Sequence, residues 1–309
     1  MRETVTVQMN LLEFAKGLDL EIVNEGRDAL TLSSMSVERP GLQLAGGFFD
    51  YFDTHRILVL GLSEYEYLKT FSSAERKEKL SRLFESGEVP CVILSRNLPA
   101  MDELLSAVST VKCPILRSPK MTTDLMSDLY IYLNRLLAPT TSEHGVLMEV
   151  FGMGILLVGN SGVGKSETAI ELIKRGHRLV ADDSVIIKQV ANELYGTCPD
   201  KIRYFMELRG IGIINVKSMY GSGSILSEKK IDLVVQMENL IVGKQYDRIG
   251  DKAETAEYFG IKVPKLTIPV TPGRNLAIVI EVAARNQRLK SMGYDASQEL
   301  IEQSLGFTK

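Results

Sequence analysis

The chain is 309 residues long, 45% hydrophobic and 24% charged, a length that suggests two domains or one large α/β domain. Its 36 basic residues against 39 acidic ones leave a formal charge of −3, which gives no electrostatic case for nucleic acid or an anionic membrane as the main partner. The one long apolar stretch, Val150 to Val158, is about half a bilayer span, and the first residues lack a basic-then-apolar secretion signal. Cys91, Cys113 and Cys198 are odd in number, widely separated and in no metal-ligand spacing, which suits a reducing cytoplasm.

The first part reads as alternating strands and helices. Arg56 to Gly61 and Val89 to Leu94 are short, apolar and β-branched, as buried strands tend to be. Ser63 to Leu83 carries leucines, aromatics and charges at helical spacing, and Met101 to Val108 repeats the plan with Leu104, Leu105 and Val108 inward. A strand over Cys113 to Arg117 and an amphipathic helix over Thr122 to Leu137 complete an α/β unit with no nucleotide fingerprint.

A domain boundary is expected between that helix and the polar, proline-containing stretch Pro139 to His144. Gly145 to Gly152 and Ile155 to Val158 then read as two strands of a hairpin, turning at Gly152 to Gly154.

The strongest chemical signal follows at once. Gly159, Asn160, Ser161, Gly162, Val163, Gly164, Lys165 and Ser166 satisfy G-x-x-x-x-G-K-[ST], which chance would supply roughly once in a hundred chains of this length. The strand Ile155 to Val158 enters the motif, and Ser166 to Arg175 leaves it as a helix closed by Gly176. Its glycines let successive backbone N–H groups turn towards an anion at the positive end of that helix. Lys165 is expected to reach the β- and γ-phosphates, and the Ser166 hydroxyl to complete a magnesium shell. Arg209 to Ile214, with glycines two apart, lacks the third glycine of a dinucleotide loop.

One helix later, the strand His177 to Ala181 ends in Asp182-Asp183, where a P-loop enzyme needs an acid to organise magnesium or take a proton from the nucleophile. A plain acidic turn is the bland alternative. One carboxylate near the metal would stay ionised, while mutual repulsion raises the pKa of the other. His55 has no evident partner, and His177 opens a strand and reads as structural. His144, one strand pair before the loop, stays open between a phosphate-facing and a structural role. Arg248 and Arg274 are candidate phosphate clamps, although arginines in polar loops are mostly solvated. The residues alone support magnesium-dependent phosphoryl transfer or hydrolysis and do not identify the acceptor.

Several segments resemble the bacterial HPr kinase/phosphorylase family. They are Gly159 to Ala169, Lys174 to Asp183, and Glu207-Leu-Arg-Gly-Ile-Gly-Ile-Ile-Asn215, which looks like the family's signature. Arg39 to Leu42, Thr141 to Gly145 and Pro272 to Asn275 match further, so the resemblance spans nearly the whole chain. It implies an α/β protein: an N-terminal α/β domain over 1–133, then a P-loop kinase domain over 134–309 akin to the phosphoenolpyruvate carboxykinase nucleotide-binding core.

The implied enzyme phosphorylates one serine of the phosphocarrier HPr with ATP or pyrophosphate. In reverse, inorganic phosphate attacks phosphoserine-HPr and pyrophosphate is released. The resemblance further implies a cytoplasmic homohexamer acting in carbon catabolite repression, with Mg2+, or Mn2+ in its place, as cofactor. Carried over by position, Gly159 to Ser166 hold the nucleotide or pyrophosphate, Ser166 and Glu207 bind the metal, and Asp183 accepts the serine proton. His144, Lys165 and Arg248 match other active-site positions; Met206 to Asn215 matches a segment implicated in both reactions, and Pro269 to Arg274 one implicated in dephosphorylation. Three positions depart from the pattern: Asn160 replaces an aspartate, Thr271 stands where a basic residue is common, and Gly47 replaces a tyrosine. A small-molecule ATP enzyme on the same scaffold and a nucleotide-sensing module are the rival readings. The segment beginning at Glu207 argues against the first, and the joint presence of Asp183, His144 and Arg248 against the second.

Overall fold

The computed structural model describes residues 5–85, 87–246 and 254–304. The chain divides into two compact units, Met1–Ala138 and Pro139–Lys309, each mixed α/β.

In the first unit the elements run β1 (Val7–Asn10), α1 (Leu11–Leu18), β2 (Glu21–Asn24), β3 (Ala29–Leu32), β4 (Val37–Glu38), α2 (Gly41–Gly46) and β5 (Ile57–Leu60). They continue with α3 (Leu62–Lys69), α4 (Ser73–Arg82), β6 (Val92–Leu94), α5 (Asp102–Val111), β7 (Ile115–Arg117) and α6 (Thr122–Leu136). The sheet order is β2-β7-β6-β5-β4, parallel except for the β2–β7 pair, while β1 and β3 form a separate antiparallel ribbon. Alternation along the buried strands sorts side chains into two cores. Leu58, Leu60, Val92 and Leu94 pack with α3, α4 and α5, whereas Ile57, Val59 and Ile93 pack with α1 and α6.

The helical pattern expected over Ser63 to Leu83 is divided into α3 and α4. Ser72 caps α4: its hydroxyl accepts from the Glu75 N–H, and the Glu75 carboxylate accepts from the Ser72 N–H at 2.9 Å. This reciprocal box stabilises a new helix start and outweighs the continuous apolar spacing.

The second unit runs β8 (Thr140–Val150), β9 (Met153–Gly159), α7 (Lys165–Lys174), β10 (Arg178–Ala181), β11 (Ser184–Val190), β12 (Glu193–Thr197), β13 (Phe205–Leu208) and β14 (Gly212–Asn215). Then come α8 (Val216–Tyr220), β15 (Glu228–Lys230), β16 (Leu233–Asn239), β17 (Glu254–Tyr258), β18 (Ile261–Val270), α9 (Leu276–Ser291) and α10 (Ala296–Ser304). Among the described residues the large sheet has the order β15-β12-β11-β8-β9-β16-β18-β17, with β10 beside β8. Its centre, β9-β16-β18, is parallel; the outer strands are antiparallel.

Leu157, Leu233, Val235 and Met237 share one core with Leu172 and Ile173 of α7 and with Ile280 and Ala284 of α9. The β8–β9 hairpin turns at Phe151 and Gly152, at φ 49° and 84°, one residue earlier than the glycine spacing predicted. Two left-handed residues give the twist that a two-residue hairpin needs.

The polar stretch Pro139 to His144, which follows the expected boundary, is largely strand. Thr140 to His144 open β8 and pair with Lys188 to Ser184 of β11. Backbone pairing makes no demand for apolar side chains, so composition did not reveal it. The pairing sets His144 opposite Ser184, one residue from Asp183.

Leu157→Ala should destabilise the second unit by about 2–5 kcal/mol, because the truncation leaves a cavity under both covering helices. Urea denaturation measures it; a change below about 0.5 kcal/mol would contradict this placement.

Candidate active site

The site begins where β9 ends. Gly159 pairs with Met237 of β16, and a Cβ at Gly159 would stand 2.2 Å from the Met237 carbonyl oxygen, so only glycine allows this approach. Gly162 and Gly164 adopt φ of 82° and 96°, turning the loop into α7. Val163 anchors the loop in the core beneath. Thr168 makes the first bond back to Gly164, so the N–H groups of Lys165, Ser166 and Glu167 have no partner within the helix. With the positive end of the helix dipole, they make an N-terminus suited to an anion.

Lys165 is buried, and its Nζ donates to the carbonyls of Gly159 and Asn160 at 2.7 and 3.2 Å. Burial lowers its pKa, Asp182 and Asp183 oppose that shift, and the nearby Arg209 charge adds to it. Its Nζ also lies 3.4 Å from His144 Nε2. On the other side of the ring, His144 Nδ1 is 3.0 Å from the Asp183 carbonyl oxygen and 3.2 Å from its Oδ1. A carbonyl only accepts, so Nδ1 carries the proton and, in the neutral ring, Nε2 turns its lone pair to Lys165. Asp183 holds a left-handed φ of 67°, which turns its carbonyl towards His144 and the Gly145 N–H.

The two aspartates differ in setting. Asp182 is buried; its Oδ1 accepts from Ser166 Oγ at 3.0 Å and its Oδ2 from the Glu207 N–H at 3.2 Å. Its pKa is raised, first by burial and only later by repulsion from Asp183. Asp183 is exposed to the cavity, which Glu207 and Arg209 also line. The hairpin β13–β14 delivers these last two by strand alternation: Met206 and Leu208 pack into the core, while Glu207 and Arg209 face the cavity.

His144, Lys165, Ser166, Asp183 and Glu207 thus meet in one cavity beside the loop glycines, although they come from β8, α7, the β10–β11 turn and β13. Arg248 lies outside the described residues. Arg274 is exposed and donates to the Pro269 carbonyl, away from this lining. His177 is buried on Glu281 at 3.0 Å, and His55 is exposed beside Asp53, so neither joins the site. Sequence reasoning gave Asp182 no separate role and passed over Arg209. A strand-period reading of Met206 to Arg209 would have placed the arginine on the same face as Glu207.

A serine hydroxyl and two carboxylates are hard oxygen donors of the kind magnesium takes. Among the described residues no three His, Cys, Asp or Glu side chains converge on one point as a preformed metal cluster. Magnesium fits such a partial donor set, because phosphate oxygens and water complete its octahedron. Among the described residues no helix is long and apolar enough to cross a membrane.

Comparison with known proteins gives a consistent result. The family model described as HPr Serine kinase C-terminal domain matches residues 135–304, and that described as HPr Serine kinase N terminus matches residues 5–133. An HPr kinase/phosphorylase of Alkaliphilus metalliredigens is 48% identical over 299 residues, covering 96% of this chain and 95% of its own. One of Caldicellulosiruptor bescii is 47% identical over 290 residues, covering 93% of each. The solved structure of the Hpr(Ser) kinase/phosphatase from Coxiella burnetii aligns with 52% of this chain and 98% of its own, at 35% identity and a TM-score of 0.47. With both family models matched almost end to end and relatives near half identity over the same span, this chain belongs to the HPr serine kinase family.

Proposed function

We propose that this chain phosphorylates a serine of HPr with ATP or pyrophosphate, and that its second unit, Pro139–Lys309, forms the body of a P-loop kinase domain, expected from sequence over 134–309, related to the phosphoenolpyruvate carboxykinase core. The observation that carries this reading is the meeting of Lys165, Ser166 and Asp183 at a glycine loop on a helix N-terminus, in a chain of this family. The loop amides and Lys165 hold the donor phosphates. Ser166 and Glu207 hold magnesium, or manganese in its place, with Asp182 fixing both through its two hydrogen bonds. When bound, that cation neutralises charge on the phosphoryl oxygens.

In the kinase direction the serine hydroxyl of HPr attacks the terminal phosphorus. Its proton passes to the Asp183 carboxylate, the new O–P bond forms, and the bond to the leaving ADP or phosphate breaks. His144 orients Asp183 through Nδ1 and faces Lys165 through Nε2. Reversal makes protonated Asp183 the donor to the departing serine while inorganic phosphate takes the phosphoryl group and becomes pyrophosphate. Thr271, in place of a base, removes one cation from the segment assigned to that reverse step. The proposal extends to a cytoplasmic homohexamer that serves carbon catabolite repression.

Purified protein incubated with HPr and magnesium-ATP should add one phosphate to HPr by intact mass. An unchanged HPr mass, with pyrophosphate also inactive as donor, refutes the reading. Phosphoserine-HPr given inorganic phosphate should release pyrophosphate; its absence would confine the enzyme to the kinase direction.

Asp183→Asn should slow transfer by about 10²–10⁴-fold while magnesium-ATP affinity stays within about threefold, because it removes a proton acceptor and no phosphate contact. Equal losses in both would make Asp183 a metal or structural residue. Lys165→Ala should weaken magnesium-ATP binding by about tenfold or more, measured by calorimetry, since a charge-assisted contact to phosphate is lost. Wild-type affinity and turnover would remove that role.

A further inference from the structure

We propose that Arg209 is a phosphate-binding residue of this site, its guanidinium contacting the terminal phosphoryl group held by the loop. The inference rests on the reading of the loop as a polyphosphate site and adds a second cation to it.

Arg209 comes from the β13–β14 turn, yet its Nη2 donates to Ser161 Oγ at 3.1 Å, inside the loop itself. It lines the same cavity as Lys165, Ser166, Asp182, Asp183 and Glu207. Four acids, Glu167, Asp182, Asp183 and Glu207, share that lining, but among the described residues none forms an ion pair with it. An arginine whose side-chain partner among the described residues is a neutral hydroxyl, at the mouth of the helix N-terminus, has its charge available for an anion.

The loop's own sequence makes room for it. The G-x-x-x-x-G-K-[ST] pattern does not ask for glycine at position 162, yet a Cβ there would stand 2.6 Å from Arg209 Nη1. Gly162 also holds φ 82°, which favours glycine, and its missing side chain leaves the guanidinium close to the loop. Lys165 serves the Gly159–Asn160 end of the loop and Arg209 the Ser161–Gly162 turn, so two cations flank the phosphate position. Lys165 is a point charge, whereas the planar guanidinium of Arg209 can bond two phosphoryl oxygens at once. Because Glu207 sits two residues earlier on the same hairpin face, one element supplies a metal-binding acid and a phosphate-binding base together.

The test uses the full chain and magnesium-pyrophosphate as probe, with binding measured by calorimetry for wild type, Arg209→Gln and Arg209→Lys, and unliganded melting temperatures as a fold control. Arg209→Gln should keep the wild-type melting temperature, weaken pyrophosphate binding by about tenfold or more and slow transfer from ATP to HPr by about a hundredfold or more. Arg209→Lys, which keeps charge but loses the fork, should recover only part of either loss. Pyrophosphate affinity and HPr turnover both within about twofold of wild type in Arg209→Gln would overturn the proposal. If that variant melts early, Arg209→Lys decides: wild-type affinity and turnover there sink the proposal, and a loss of about threefold or more in both sustains it. Wild-type protein that binds pyrophosphate and ATP but leaves HPr unmodified contradicts the assigned acceptor while the binding comparison still judges Arg209. Wild-type protein that binds neither defeats both.

Discussion

The buried carboxylate of Asp182 is the joint on which the site is assembled. An acid removed from water is costly unless its oxygens find donors, and both do. One bond comes from Ser166 in the first turn of α7, the other from the Glu207 amide on β13. These elements are 41 residues apart in sequence, by the difference between 166 and 207, and the acid sets their separation. Loss of either bond would leave a buried lone pair unsatisfied, and loss of the second would remove one tie on the hairpin that carries Glu207 and Arg209. The raised pKa of Asp182 records the strain of that burial, and a cation beside Ser166 would offset it.

Rigidity beneath the loop has a different origin. β9 lies between β8 and β16 with both neighbours hydrogen-bonded, and its side chains are buried on both faces. Gly159 ends this strand against the Met237 carbonyl, so the loop starts from a fixed point with no side chain to hold it away. The candidate catalytic groups then arrive on turns and short hairpins around that point, the usual division between rigid scaffold and functional loop. The first unit has comparable packing but a different use of its charges. Arg39, in one of the segments that resemble the family, forks onto Glu64, which also accepts the Gly61 amide, so its charge is spent on holding α3.

What the sequence made legible follows from where the physics is local. The β9–loop–α7 unit could be read because strand, glycines, lysine and helix are adjacent and each type has one physical reason to be there. The β8–β9 hairpin was legible for the same reason, to within a residue. His144 was not decidable locally, because its role depends on β8 pairing with β11 across 40 residues, and the polar stretch before it gave no strand signal. The aspartate pair was read as two unlike acids, but mutual repulsion was given the leading part; burial leads, since Asp182 faces inward and Asp183 turns out at a left-handed φ. Arg209 escaped attention because its neighbouring glycines were tested against a dinucleotide loop, whereas its meaning comes from a strand period of two. The single helix expected over Ser63 to Leu83 failed where a local capping box outweighed apolar periodicity.

Glu167, Asp182, Asp183 and Glu207 line the cavity together with Lys165 and Arg209, so its fixed acids outnumber its fixed cations. On that count alone a polyphosphate would be repelled, in spite of the glycine loop and the helix dipole. On the proposed reading, a divalent cation held by Ser166 and Glu207 would offset these acids and leave Lys165 and Arg209 to meet the remaining negative charge of the donor. Donor binding on the proposed reading is therefore obligately coupled to the metal. A near-neutral chain could do this locally, by aiming a few charges at one point, with no basic surface over the whole molecule.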